Sequence, residues 1–419
     1  MTKENIESKR QDLLKNHMRR IKDLTLFLIR NYNLDLSSKD LDDVALQWML
    51  RAKTILQMRH ICEAFYRGSL FYNSDINHFA HSEKSHYVST STIESLVPDY
   101  YLRNGVKILV SNSYMINDHN NDPYAILSQL LFNRTSFECN GSTQLPYYFN
   151  IKDLLIERYG DEIGVKYFNK LFGAKLDEEH NLNRLRIGLM GNYFTPDPQD
   201  FSPLYYFITA YRGISLEGLI KNPDLYLGLK LGIGGQKDYS LKHPAGSGQG
   251  WNAIFVGLNL KNEPLFLVAR EVGQDYLLTY DEIIKLTNYE FDRLPESQKR
   301  KFASLESNAS NTGGLLDYAI EFSMDKIKLL LTDFDLCLSE VKKFCDDYYN
   351  KFYKTAGLTP LPTTYSYPYY KSKNIIRETQ DDIYIDTPRF FHAKNRKDPL
   401  NPIIQDDAKL HISYRKSAS

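Results

Sequence analysis

The residue with the clearest chemical capacity in this chain is Cys139, near the middle of the stretch TSFECNGSTQLPYY that runs from Thr135 to Tyr148. Glu138 precedes it, small polar residues follow it, and a helical pattern begins at the same place. Helix-start amides and an adjacent proton acceptor both favour the thiolate, which is the attacking form of cysteine. The same position suits an inert cysteine, because free Cys behaves as a small, buried apolar residue. The remaining cysteines, Cys62, Cys337 and Cys345, are too dispersed for a zinc knuckle and too few for a disulfide scaffold, so a reducing compartment is expected. His78, His81 and His86 fall close together, but no Cys or paired acid stands at ligand spacing, and neither a metal nor another cofactor is expected.

A nucleophile needs a frame, and the composition supplies one. The chain has 419 residues, 42% hydrophobic and 25% charged, enough for a sizeable core. Its net charge of zero gives no electrostatic reason to expect nucleic acid as a partner. The excess of 31 Tyr and 22 Phe fits large cores or adhesive surfaces without naming a reaction. The N-terminus, MTKENIESKRQDLLKNHMRR, has no secretory apolar run, and no stretch is long and apolar enough to span a membrane. A cytoplasmic protein is expected, or one exported by a route that does not use an N-terminal signal peptide. Oligomeric state is not legible.

The periodicity predicts an amphipathic helix over residues 4 to 33 and a second carrying Leu41, Val44, Trp48, Met49, Ala52, Ile55 and Ile61, capped by Ser37, Ser38 or Asp40. From Ser69 the texture becomes β-prone. Asp122 and Pro123 open a short helix, and after Cys139 a helical pattern runs to Gly160, with Pro146 distorting it or marking its first turn. GVKYFNKLFG adds another helix, and LGLKLGIGGQ lacks a phosphate-cradling glycine pattern and reads as strand and turn. Asn252 to Leu258 and Leu265 to Val272 form a hairpin, with His243 held extended at its mouth by Pro244. Thr279 and Glu282 make a capping box. A long helix is expected from Leu315 to Tyr353, bearing Cys337 and Cys345, and a Tyr/Pro-rich extended or partly disordered tail follows.

The order of these features resembles the spore-associated bacterial transglutaminases, protein-glutamine gamma-glutamyltransferases with a papain-like thiol fold. DPYAILSQLLFNRTSFEC is similar to that family's run into its FEC nucleophile motif, GQGWNAIFVG to its QGEN strand, and TYDEII to the helix after its last catalytic strand. LQWMLRAKTI, SEKSHYVSTSTIESLV and YFNKLF fall in matching order, so the resemblance covers roughly residues 43 to 290. It implies an α+β fold with a nucleophile helix packed on an antiparallel sheet. The domains would be an N-terminal helical extension at 1–42, a cysteine domain at 43–292, a linker at 293–314, the long helix at 315–356 and the tail at 357–419.

The resemblance implies Cys139 as nucleophile, with Glu138 beside it. It departs from the family where Trp251 replaces the motif acid and where the strand histidine's position falls near Val268. Trp251 cannot take a proton. Either His243 serves as base with Asn252 or Gln249 in support, or Glu138 alone poises the thiol, or the fold has lost catalysis and kept protein binding. In the active case Cys139 attacks a glutamine amide, ammonia leaves, and a lysine amine or water resolves the thioester. Gln249 or Asn252 would steady the oxyanion, and Trp251 would wall an amine tunnel or serve as core. The partners implied are proteins presenting glutamine and an amine donor. A more distant alternative is an ADP-ribosyltransferase, from Arg67 and the Ser89, Thr90, Ser91 cluster, although no ExE pair follows them.

Overall fold

A computed structural model describes residues 36, 41–71, 91–93, 95–103, 106–116, 122–137, 139–173, 182–188, 201–236, 250–292, 316–354 and 358–360, with short strand pieces at 376–378, 383–385, 387–388 and 409–410. The expected helix at 4–33, the histidines His78, His81 and His86, the linker and most of the tail lie outside these residues.

The first described helix, α1, spans Asp43–Arg67. Its cap is Asp42 rather than Ser37, Ser38 or Asp40, because the Asp42 carboxylate accepts the Ala45 N–H at 2.7 Å. Gly68 ends it in the left-handed conformation at φ 82°. A two-residue strand follows, β1 (Leu70–Phe71), and then the antiparallel pair β2 (Leu96–Arg103) and β3 (Val106–Ile116). Helix α2 (Pro123–Leu130) is capped by Asp122 as expected. Next, β4 (Thr135–Ser136) pairs in parallel with β1, tying the approach to Cys139 to the end of α1.

Helix α3 spans Cys139–Tyr159, and α4 spans Asp161–Phe172 after Gly160 turns the chain at φ 82°. Pro146 neither ends α3 nor marks its first turn but sits inside it. It removes one helical hydrogen bond, whereas Leu145, Tyr147, Tyr148, Phe149 and Ile151 around it are all buried. Tertiary burial on every side holds the helix through the proline. A short strand, β5 (Arg186–Ile187), extends the β2–β3 pair.

The main sheet begins after a 3-10 turn at Pro203–Phe207 with β6 (Ile208–Tyr211), followed by the short helices α5 (Leu216–Lys221) and α6 (Pro223–Tyr226). It continues with β7 (Lys230–Gly234), β8 (Gly250–Leu258), β9 (Pro264–Leu267) and β10 (Leu277–Thr279). Then come α7 (Tyr280–Asp292) and β11 (Leu316–Phe322). The strands form one six-stranded sheet in the order β10-β9-β8-β7-β11-β6. Every pairing in it is antiparallel. The β8–β9 hairpin is as expected, and the Thr279/Glu282 capping box is formed, with the Glu282 N–H donating to Thr279 Oγ1 and the Thr279 N–H to Glu282 Oε2.

Alternation divides the sheet into two faces. Ile254, Val256, Leu265, Leu267, Ile320 and Phe322 join the core built with α1 and α3. Ala253, Phe255, Phe266, Val268, Leu231 and Ile233 form a second core with Ile283 of α7 and Leu219 of α5. The described residues thus make an α+β fold with helices on both faces of an antiparallel sheet.

The long helix expected from Leu315 to Tyr353 does not form. Residues 316–322 are β11, inserted between β7 and β6, and the helical part divides into α8 (Met324–Thr332) and α9 (Phe334–Tyr348). Asp333 breaks the run by capping α9, its carboxylate accepting the Leu336 N–H at 3.0 Å. Cys337 and Cys345 share α9, and neither is in a disulfide. The chain assigned to a separate helical region therefore supplies a central strand of the sheet that carries Cys139's neighbours.

Candidate functional site

Cys139 is the first residue of α3 and is partly exposed. As far as Phe137 the chain follows β1, because the Phe137 N–H donates to the Phe71 carbonyl at 2.9 Å, continuing the β1–β4 contact. Tyr114 donates to the Ser136 carbonyl at 2.8 Å, and its ring meets Phe137 edge-on, so the approach is fixed from two sides. Beyond the cysteine, the hydroxyls of Ser142 and Thr143 donate back to the Cys139 carbonyl at 2.8 and 3.0 Å. Gln144 anchors the same turn by exchanging two hydrogen bonds with the Gly188 backbone. A helix start leaves backbone N–H groups without helical partners, and these favour an anion placed there.

The sheet delivers the thiol's neighbours in two rows across β11, β7 and β8. In the first row Tyr318 stands opposite Gly232, which stands opposite Asn252. Asn252 Nδ2 lies 3.4 Å from Cys139 Sγ and donates to it, while the Tyr318 hydroxyl donates to Asn252 Oδ1 at 2.7 Å. Gly232 makes this contact possible. A Cβ there would stand 2.4 Å from the Tyr318 ring, so only glycine lets that ring cross β7 to reach the amide.

In the second row Ile320 stands opposite Lys230, which stands opposite Ile254. Lys230 occupies a core position and is fully buried, and its ammonium donates to Asn140 Oδ1 at 2.5 Å. A buried ammonium is tolerated only with polar company, and Asn140 is the residue next to Cys139. Tyr147, two turns along α3, donates to the Ile320 carbonyl at 2.9 Å, and burial raises its phenol well above the ordinary range, keeping it a donor. The start of α3 is thus locked to both β7 and β11.

Of the residues singled out in the sequence, the structure brings Asn252 to Cys139. Trp251, its neighbour on the strand, faces the opposite way and packs against the second core, opposite Ile233. Val268 is buried in that same second core. Glu138, Gln249 and His243 lie outside the described residues. Arg67 sits in the last turn of α1, and Ser91 bonds Thr135 through its hydroxyl at 2.9 Å, while Ser89 and Thr90 lie outside the described residues. Among the described residues no cluster of His, Cys, Asp and Glu is placed to hold a metal, and no helix is long and apolar enough to cross a membrane.

Tyr318, Gly232, Lys230 and Asn140 escaped sequence reasoning. The first was hidden by the helical reading of its segment. Ser323 ahead of Met324 and Asp325 is a helix-start signal that would have ended the preceding segment and exposed LDYAIEF as a strand. Lys230 inside the apolar run LGLKLGIG was the one charged residue in an otherwise buried-strand pattern.

The other thiols contrast with Cys139. Cys62 is completely buried and its thiol is pushed well up by desolvation, then by Glu63. Burial, with Glu340 adding to it, pushes Cys337 up to about 12. At mildly alkaline pH, iodoacetamide is therefore expected to label Cys139 first, with Cys62 and Cys337 reacting only on unfolding. Peptide mapping of the alkylated sites against time checks this order.

The geometry defines an α+β protein with a helix-start thiol met by an amide donor. No protein-family model matches this chain, and the search of curated proteins found no match.

Proposed function

We propose that this protein is a thiol acyltransferase with a papain-like core, acting on the glutamine side chains of proteins through a Cys139 thioester. The observation that carries this reading is the Asn252 amide donating to Cys139 Sγ at 3.4 Å, at the first residue of a helix laid on an antiparallel sheet. A thiol that receives a hydrogen bond and sits at a helix start is favoured in its anionic form. The choice of glutamine as substrate follows from the resemblance of the FEC and GQGWNAIFVG stretches to the transglutaminases.

The reaction begins when Cys139 loses its proton to Glu138 or His243, the two candidate bases. The thiolate sulfur attacks the carbonyl carbon of the glutamine carboxamide, and the π electrons move to oxygen. Asn252 Nδ2, already directed at the sulfur, then stabilises the developing oxyanion by a hydrogen bond, together with the helix-start N–H groups. The intermediate collapses, the base returns its proton to the amide nitrogen, and ammonia leaves a thioester. A lysine amine then attacks the thioester to give an isopeptide, or water attacks to give glutamate, and the thiol is restored.

Wild-type protein incubated with a glutamine-rich acceptor and a labelled primary amine is expected to release ammonia and incorporate the label. A second reading, a lapsed fold acting as a protein-binding module, is favoured by one observation: Trp251, standing where the transglutaminases have their motif acid, packs against the second core away from Cys139 and takes no proton. Absence of both ammonia release and amine incorporation would replace the first reading with the second.

A further inference from the structure

We infer that Tyr318 is a positioning residue for the thiol, setting the orientation of the Asn252 amide so that its donor rather than its acceptor faces Cys139. This deepens the acyltransferase reading and rests on Cys139 being its nucleophile. An amide side chain presents NH₂ or C=O to a neighbour with little difference in shape, and the two have opposite effects on a thiol. Donation from Nδ2 stabilises the thiolate, whereas an oxygen in the same place would accept from S–H and repel S⁻. What decides between them is the far end of the amide. The Tyr318 hydroxyl donates to Oδ1 at 2.7 Å, and flipping the amide would exchange that bond for one in which the NH₂ donates to the phenol oxygen, a weaker acceptor than a carbonyl.

The device is built from three adjacent strands. Tyr318 on β11 and Asn252 on β8 are not neighbours in the sheet, because β7 runs between them. The ring spans that gap over Gly232, whose missing side chain leaves the space that the ring occupies on its way to the amide. A glycine in a sheet interior weakens the strand relative to alanine, and the crossing of the Tyr318 ring accounts for its presence. Strand β11 is itself tied to α1, where Arg51 forms an ion pair with Glu321 at 2.7 Å and Gln47 donates to the same carboxylate. The Tyr318 ring is thereby held in register from behind.

The test reads thiol reactivity, which needs no acyl substrate. Second-order alkylation of Cys139 by iodoacetamide at neutral pH is expected to slow by about tenfold in Tyr318→Phe, the scale of one hydrogen bond directed at a charged group. Asn252→Ala is expected to show a loss of the same order. The double variant should react no more slowly than Asn252→Ala alone, since Tyr318 acts only through the amide. The far-ultraviolet absorbance of the thiolate, taken as a difference from Cys139→Ala, should fall in Tyr318→Phe in parallel with the rate. Protection of Cys62 and Cys337 from the reagent reports that each variant is folded. Gly232→Ala, which displaces the ring without touching the amide, should reproduce the Tyr318→Phe result.

The inference is overturned by a Tyr318→Phe protein that alkylates at the wild-type rate, or by Tyr318→Phe and Asn252→Ala effects that multiply in the double variant. These outcomes are separate from failure of the acyltransferase reading. A wild type that shows the expected alkylation pattern but neither releases ammonia nor incorporates amine retains the positioning role and loses the reaction.

Discussion

Cys139→Ala is expected to abolish ammonia release and amine incorporation, with a fall in turnover of about three powers of ten or more, the scale seen when a covalent nucleophile is removed. Nothing else in the proposed mechanism forms the thioester, so no residual acyl-enzyme should be trapped by hydroxylamine. The loss should be purely chemical. Cys139 is partly exposed, and the first turn of α3 is held by the hydroxyls of Ser142 and Thr143, by Gln144 on Gly188 and by Asn140 on Lys230, none of which uses the sulfur. Thermal stability should therefore change by no more than about 1 kcal/mol. Cys139→Ser sharpens the result, because it keeps a hydrogen-bonding group of similar shape while replacing a strong nucleophile with a weak one. An alanine variant that turns over at more than a tenth of the wild-type rate would transfer the chemistry to another residue.

The largest stability effect is expected at Gly228. This residue turns the chain from α6 into β7 at φ 78°, and its N–H donates to the Phe255 carbonyl at 2.9 Å. A Cβ added there would lie 2.6 Å from the Arg51 carbonyl oxygen and 2.8 Å from Arg51 Cβ, so Gly228→Ala presses backbone against backbone. The left-handed conformation costs a non-glycine residue roughly 1–2 kcal/mol, and overpacking adds about 1–3 kcal/mol. A destabilisation of about 2–5 kcal/mol is therefore expected in chemical denaturation, as a lower midpoint with an unchanged slope. The strain falls on the α1 residue that pairs with Glu321 of β11, so the amine-incorporation rate should fall along with stability. A denaturation midpoint equal to that of the wild type would show that α1 yields freely at this contact, contrary to the packing described.

Much of the scaffold could be read in the chain because it rests on local rules. Helix α2 begins where Asp122 and Pro123 say it should, and α3 gives way to α4 at Gly160. The β8–β9 hairpin and the Thr279/Glu282 box are likewise short-range patterns of turn chemistry and capping. Cys139 was legible for the same reason, since its helix starts within the residue pattern that announces it. Asn252 was legible as a polar residue opening an apolar strand, although its proximity to the sulfur was not. The misreading of residues 315 to 353 has a physical cause as well. A seven-residue run such as LDYAIEF carries too little periodicity to separate strand from helix once a strongly helical segment follows it. What made it a strand was a vacant place between β7 and β6, supplied by residues more than eighty positions earlier.

By itself, the sequence determined that a cysteine stands at a helix start and that helices and a β-hairpin flank it, because capping, turn geometry and alternation act over a few residues. Only the tertiary structure decided what meets the thiol. Asn252 reaches the sulfur because β8 lies beneath the start of α3, and Trp251, one residue away, is turned to the far face by the pleat. Tyr318 reaches Asn252 because a non-local strand pairing sets it in one row with Gly232, and a side chain absent from the middle of that row leaves the path open. Cross-strand register joins positions far apart in the chain, and no local pattern of residues encodes it.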